Sequence, residues 1–464
     1  MVNAAKQASS DGIHLAATSP SRRRDELARL FGLAMPILGG QMSTAVASLI
    51  DAAMIGQLGA RPVAAVGFGG LVFWVTVSLT VGVESAVQTL TARRRGEGRP
   101  AATGAILSEA LRLALVVGGP LGLLLALLAP TLLSGLHGDP TVRQLGAQYL
   151  GARAISLAFV MGIAAFRGFY NGTSRPAFNL RVALAMLAVQ VALNATLIYG
   201  NLGFPRLGVL GAGIAGAAAS AVGFALFVGL SRSDREHGVF QTAPSREERK
   251  ALRLSLARLG LPSGVQWALS WIAMLVFLYF AGRVGVVVAG ATYVLIQLAS
   301  FVSLAANSFG FAAASLVSQA LGRGQRDEAH RWGITAACAA AGLLGTVGVG
   351  MALFRHPLLA ALSSDPELVR TAQPALLACG LLAGADAFGI VIMFATIGTG
   401  AVRRVMALSL GGMWLLCLPV AWAWGVLGGG GMLGLWGALL GSRFVVSAAL
   451  TLDFHRRRWA SVRL

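Results

Sequence analysis

Three carboxylates sit inside stretches that are otherwise apolar: Asp51 in VASLIDAAMIGQLG, Glu84 in TVGVESAVQTL and Asp386 in LLAGADAFGIV. An ionisable group at bilayer depth costs roughly 2.5–3.5 kcal/mol or more, so its presence points to use. Burial disfavours the charged form of a carboxyl group. Such a group takes up a proton when occluded and releases it when wetted, or binds a sodium ion with neighbouring oxygens. Either event changes local charge and packing, and so biases a helix bundle that has two arrangements. Asp51, Glu84 and Asp386 are therefore the candidate cation-coupling residues, with a monovalent cation at Asp51 or Asp386 as the one metal ion to consider.

Polar neighbours recur at helical spacing around these acids. Gln41, Thr44, Ser48 and Asp51 follow at intervals of three, four and three, a stripe about 80° wide on a helix. Thr76, Thr80, Glu84 and Gln88 step by four. Gln190 and Asn194 lie one turn apart, as do Gln266 and Ser270, and a later stretch carries Gln297, Ser300, Asn307 and Ser308. Polar stripes on apolar helices face other helices or water rather than lipid. Gln41, Thr44, Ser48, Gln88, Gln190, Asn194, Gln266, Ser270, Gln297 and Asn307 are thus expected to line a polar cavity. The plain alternative for the isolated amides and hydroxyls is interhelical hydrogen bonding. Glu109 and Arg112, three residues apart, read as a structural ion pair.

No nucleophile triad, metal-ligand cluster, dinucleotide fingerprint or phosphate loop accompanies these residues. Cys338, Cys379 and Cys417 lie singly in apolar runs and read as small hydrophobes. An integral membrane enzyme is therefore disfavoured, and no cofactor is expected beyond H+ or Na+ as coupling ion. Acids without a nearby buried base suit small cationic or amphipathic substrates. A flippase for pyrophosphate-linked lipids would instead want bases at depth, where Arg112 and Arg443 are the main candidates.

The elements that must position these residues are transmembrane helices. The chain has 464 residues, 12% charged and 56% hydrophobic, with 60 glycines, against about 25% charged in soluble domains. Twelve segments are long and apolar enough to span a bilayer: 30–55, 63–92, 104–131, 146–168, 177–200, 208–231, 256–281, 287–320, 332–361, 370–397, 404–426 and 432–454. With the N-terminus in the cytoplasm, basic residues favour the inside segments by about four to one. The net charge of +19 is therefore a topology signal and a contact for anionic lipid headgroups, with no nucleic-acid partner. Pro36, Pro120, Pro130, Pro262 and Pro419 are expected kinks.

The two halves resemble each other. Pro36 and Pro262, Ala65 and Ala291, Leu90 and Leu316, and Gly96 and Gly322 are each 226 positions apart. Six spans per repeat give both halves one orientation. The expected fold is an all-α polytopic membrane protein of twelve transmembrane helices, in two six-helix bundles related by a pseudo-twofold axis along the membrane normal. Its parts are a cytoplasmic tail at 1–26, lobes at 27–231 and 254–454, a cytoplasmic linker at 232–253 and a basic tail at 455–464. Such repeats mark transporters that bind between their halves. A channel is less favoured, because the acids are asymmetric: Phe277 stands where the repeat would place a second Asp51.

Several fragments in this order resemble the multidrug and toxic compound extrusion (MATE) family, nearest its bacterial NorM-like branch. They are LAMPIL…SLIDAAMIGQLGARPVAAVGF, FRGFYNGTSRP, LNATLIYGNLGFPRLGVLGAGIA, RLGLPSGVQ and LVSQALGRGQRDEAHR. The resemblance implies two lobes around a central cavity, rocker-like alternating access, and export of cationic, aromatic or amphipathic compounds in exchange for protons or sodium ions. It implies a monomeric protein of the bacterial inner membrane with both termini cytoplasmic. Asp51 matches the family's helix 1 acid and Asp386 a helix 10 acid of the NorM-like branch. Ser270 stands where that branch carries a glutamate, which leans the coupling toward protons. Gln88 falls where many eukaryotic relatives have a glutamate, and Glu84, one turn earlier, is read as a compensating carboxylate. A lipid-linked oligosaccharide or polysaccharide flippase of the same superfamily is the runner-up.

Overall fold

The computed structural model describes residues 20–135, 138–233, 245–363 and 365–461. Most of the N-terminal tail, the linker residues 234–244 and the last three residues lie outside the described residues. The described chain is helical throughout, with no strand.

Eleven helices are long and apolar enough to cross a membrane, and a bent pair supplies a twelfth span. Spans 1 to 3 are Pro20–Gly56, Ala60–Ser78 continued as Thr80–Gly96, and Ala102–Ser134. Span 4 is the bent pair, Pro140–Ala154 and Leu157–Gly172, with 49° between its parts. Spans 5 and 6 are Ala177–Leu197 and Val209–Ser233. The second half follows with span 7 (Arg246–Val284), span 8 (Val286–Gly322), span 9 (Arg326–Leu353) and span 10 (Pro366–Gly398). Span 11 runs from Val402–Leu410 into the π-helical turns Gly411–Cys417 and Ala421–Leu427, and span 12 is Gly431–His455.

Spans 1 and 7 begin earlier than the apolar pattern predicts. Their first turns are charged stretches that continue the helix outside the hydrocarbon. Span 7 starts in a capping box, in which the Ser245 hydroxyl accepts from Glu248 N–H and the Glu248 side chain accepts from Ser245 N–H. Pro36, Pro120, Pro130 and Pro262 lie inside uninterrupted helices. The bend in span 4 falls instead at Ile155–Ser156, where the Ser156 hydroxyl donates to Arg153 C=O at 2.6 Å. Ser78 and Thr80 make similar i−3 bonds at the break in span 2. Pro419, which lacks an N–H, separates the two π turns of span 11.

The lobes meet mainly through spans 1, 2, 7 and 8. At one point the contact is its own symmetry mate. A Cβ on Gly96 would lie 2.1 Å from the Gln319 carbonyl oxygen, and one on Gly322 would lie 2.3 Å from the Arg93 carbonyl oxygen. Arg93 and Gln319, like Gly96 and Gly322, are 226 positions apart, so the pseudo-twofold axis passes through this crossing. Only glycine permits backbones this close.

The seam belongs to the end of the molecule where the described chain begins and ends. A single apolar core there joins both lobes, including Leu30, Ala86 and Leu90 on one side and Phe309, Phe311 and Leu316 on the other. Phe31 and Phe309 pack edge to face across it, with centroids 5.2 Å apart. Toward the opposite end the cores are separate for each lobe, one set built on Phe73, Leu125 and Leu150 with Ile55 and Ile198, the other on Phe277, Leu295 and Trp436. The two lobes are thus fused at the terminal end and distinct at the other.

Candidate functional site

Asp51 lies in the half of span 1 remote from the seam, and it is half-buried. Two amides of span 5 close on its carboxylate: Gln190 Nε2 donates to Oδ2 at 2.5 Å, and Asn194 Nδ2 donates to Oδ1. One turn separates the donors, so one helix face presents both. Asn194 is fully buried, and its own Oδ1 has no partner. A half-buried carboxylate held by two amides beside an unpaired carbonyl oxygen can accept a proton or a small cation without rebuilding the helices. Span 4 adds Tyr149 and Arg153, with the Arg153 charge within Coulombic range of Asp51. The guanidinium lies 5.1 Å over the Phe73 ring, and its buried Nη1 has no hydrogen-bond partner. Gly216 of span 6 leaves it room, since a Cβ there would lie 1.9 Å from Nη1.

The stripe leading to Asp51 divides. Thr44 and Ser48 are exposed, and their hydroxyls donate back to Gly40 and Thr44 carbonyls at 3.2 Å each. Gln41 Nε2 reaches across the lobes to Ser308 Oγ at 2.9 Å, so it forms the floor beneath the stripe.

The other two candidate acids carry resident cations. Glu84, 2% exposed, accepts from Arg167 of span 4 at 2.5 Å. It sits where Gly168 brings spans 2 and 4 together, with a Cβ on Gly168 only 2.3 Å from the Glu84 carbonyl. The acid read as a compensating carboxylate, Glu84, is thus paired with Arg167. Asp386 of span 10 accepts from Arg443 Nη1 of span 12 at 2.7 Å. The interior is therefore not base-poor. Glu109 keeps Arg112 at 3.5 Å but is met more closely by Arg253 of span 7.

Two amides expected in a cavity are instead packed away. Gln88, 1% exposed, donates across the lobes to Phe311 C=O at 2.6 Å and Ser315 Oγ at 2.9 Å. Gln266, 4% exposed, reaches the Met393 sulfur at 3.7 Å. Both positions lie where the lobes are closed, so their polarity serves packing between helices. Ser270 is half-buried and donates to Gln266 C=O at 2.8 Å, Asn307 is half-buried, and Gln297 is exposed. The seam also uses residues outside the sequence expectations. Gln319 Nε2 donates to Gly172 C=O and Ser174 Oγ, Ser315 Oγ to Asn171 C=O, and Arg93 Nη2 to Thr399 C=O. Arg443 stands out in the sequence as a base at depth, but its pairing with Asp386, like those of Arg167 with Glu84 and Arg253 with Glu109, does not, since one-dimensional spacing does not reveal contacts between distant spans.

Two six-span lobes related by a twofold repeat, with a polar site inside one lobe, define a membrane transporter rather than an enzyme. The chain belongs to the MatE family, whose description matches residues 36–196 and 262–423. Both matches begin at the paired prolines. It is 27% identical to a probable multidrug resistance protein NorM of Bradyrhizobium diazoefficiens, over 93% of each chain. It is 29% identical to the multidrug resistance protein PmpM of Pseudomonas aeruginosa, over 87% of this chain and 85% of that one. The fold matches the Vibrio cholerae MATE transporter VcmN in its bent form with a TM-score of 0.85 at 18% identity, covering 94% of this chain and 97% of that one. It also matches an outward-facing multidrug resistance MATE transporter of the MOP superfamily with a TM-score of 0.83 at 19% identity, covering 92% and 95%.

Proposed function

We propose that this protein is a secondary active exporter of cationic and amphipathic compounds, working by alternating access in exchange for protons. The observation that carries the reading is Asp51, held by Gln190 and Asn194 beside an unpartnered amide oxygen. Protonation of Asp51 removes the charge that these two N–H donors satisfy and lets an amide oxygen accept from the new O–H. That change links spans 1 and 5, and span 1 continues directly to the Gln41–Ser308 contact between lobes. Sodium is less favoured, because Ser270 is no acid and Asp386 already faces Arg443. The charge bias of the loops supports a bacterial inner-membrane protein whose fused end faces the cytoplasm, with basic segments against anionic headgroups. The lobes then part toward the outside, and a monomer suffices for the cycle.

The test is uptake in proteoliposomes under a pH gradient alone and a sodium gradient alone. Ethidium transport driven by the pH gradient, and abolished by Asp51→Asn, is expected. Transport with sodium alone would overturn proton coupling. A lipid-linked oligosaccharide flippase is a second reading. It is favoured by Arg153 and Arg443, two bases at depth. Scrambling of a pyrophosphate-linked lipid without ethidium transport would select it.

A further inference from the structure

Spans 4 and 6 leave a recess of about 490 Å3 on their outer side. Both spans enter from the end where the lobes are distinct, and they press together at two levels. Nearer that end, a Cβ on Gly213 would lie 2.9 Å from the Tyr149 carbonyl oxygen and 3.0 Å from the Ala152 Cβ. Past the bend at Ile155–Ser156 the Phe159 and Phe224 rings meet, with centroids 5.7 Å apart. The recess is a slot along these contacts, with Ile155 at its edge, 68% exposed. On span 6 the lining includes Leu210, Ile214, Ala218 and Ala221, at intervals of four, four and three that keep to one stripe of a helix. The small side chains of Ala152, Ala218 and Ala221 leave the space that larger residues would fill.

Depth, girth and polarity together select the occupant. Leu210 is the second residue of span 6 and Ala221 the thirteenth of 25. The slot therefore runs from the end of the span to its middle, about 17 Å at a rise of about 1.5 Å per residue. That is the depth of one leaflet in a hydrocarbon core about 30 Å thick. A volume of 490 Å3 over about 17 Å gives a cross-section of about 29 Å2, whereas a helix about 10 Å across with its side chains needs roughly 80 Å2. A second helix does not fit, and a single hydrocarbon chain does. All eight lining residues are apolar, so a charged or hydrogen-bonding group entering the slot loses its partners. Drug sites carry a few placed polar groups that fix orientation, and this slot offers none. At its mouth Arg206 is exposed, four positions before Leu210, at the level where a lipid phosphate meets a cation.

We propose that the slot between spans 4 and 6 holds one acyl chain of a phospholipid, drawn from the leaflet at the end where the lobes are distinct. The held chain packs against Ile155 and supports the bend of span 4. The test uses the full-length protein in nanodiscs of phosphatidylethanolamine and phosphatidylglycerol. A trace of phospholipid carries a diazirine either next to its ester or at its chain end, and photo-crosslinked peptides are mapped by mass spectrometry. The control is the stretch Leu123–Leu128 of span 3, where Leu123 and Leu127 are 61% and 69% exposed. The ester-proximal probe is expected to label the segment around Leu210, and the chain-end probe Phe159 and Ala221, each above the control. Ala218→Phe fills the slot and is expected to lose the excess at Phe159 and Ala221, while unchanged control labelling reports a folded chain. Ala221→Phe fills only the deep half and is expected to lose the chain-end label while keeping the label near Leu210. Slot labelling no greater than the control, or an excess that survives Ala218→Phe, would overturn the proposal. Protection of the slot by ethidium, with the control unaffected, would assign it to an exported compound and overturn the proposal as well.

Discussion

At the scale of single residues, three acids that look alike in sequence have two different kinds of surroundings. Asp51 is held by neutral amides, whereas Glu84 and Asp386 each hold an arginine. An acid hydrogen-bonded only by amides changes the charge of its site when it binds a proton, while an acid bound directly to arginine already has its cation. Glu84 and Arg167 should therefore matter for folding rather than for coupling. Removing one partner of a buried pair leaves the other charge uncompensated, and exposure of Arg167 moderates that penalty. Arg167→Ala is expected to destabilise the protein by about 1–3 kcal/mol, and Glu84→Gln by less, because it leaves only the accessible arginine unpaired. Melting of the purified variants measures this, and surviving protein should keep its response to a pH gradient. The acids themselves are legible in the sequence, because a charge in an apolar run stands out. Their partners are not: Arg167 sits in a basic segment that already has a topological explanation, and Arg443 is 57 residues from Asp386.

Whole elements follow the sequence closely where length and hydropathy decide, which is why the twelve spans and the twofold repeat are readable from one chain. Breaks within spans are less readable. The prolines of spans 1, 3 and 7 stay in continuous helix, while span 4 bends at Ile155–Ser156. In a bundle, neighbouring helices and hydroxyl groups re-satisfy the backbone groups that a proline frees, so proline alone does not set the bend. Glycine spacing is more informative, because spans 2 and 8 cross where no side chain fits. Gly96→Ala would place a methyl group 2.1 Å from the Gln319 carbonyl oxygen. The helices must then separate, which weakens the Arg93 and Gln319 bonds across the seam. Spin labels at Arg99 and Arg326 should report a longer and broader distance distribution in Gly96→Ala than in the parent chain.

For the molecule as a whole, sequence fixes two lobes but not which end is closed, since both arrangements of a transporter share one sequence. Gln88 shows the difficulty. Its place on a polar stripe suits a wet cavity, and the same residue satisfies a carbonyl and a hydroxyl when the lobes close over it. The terminal end is closed here by a shared core and polar bonds, so access should differ sharply along the lobe interface. In a background without the native cysteines, Ser48→Cys is expected to react with a membrane-impermeant maleimide added outside. Ser315→Cys, 1% exposed at the seam, is expected to stay unlabelled. Rapid labelling of Ser315→Cys with Ser48→Cys protected would mean that the opposite arrangement predominates in the membrane.

The crossing of Gly96 and Gly322 has a consequence for ancestry. A contact that maps onto itself under a twofold rotation is the geometry of an isologous dimer. A six-span chain with glycine at this position would need one surface patch to recognise a second copy of itself. In one polypeptide the two mates need not be identical. Arg93 and Gln319 differ: each reaches across to the opposite lobe, one as a cation and the other as a neutral amide. The seam thus has the geometry of a homodimer interface whose two halves carry different side chains.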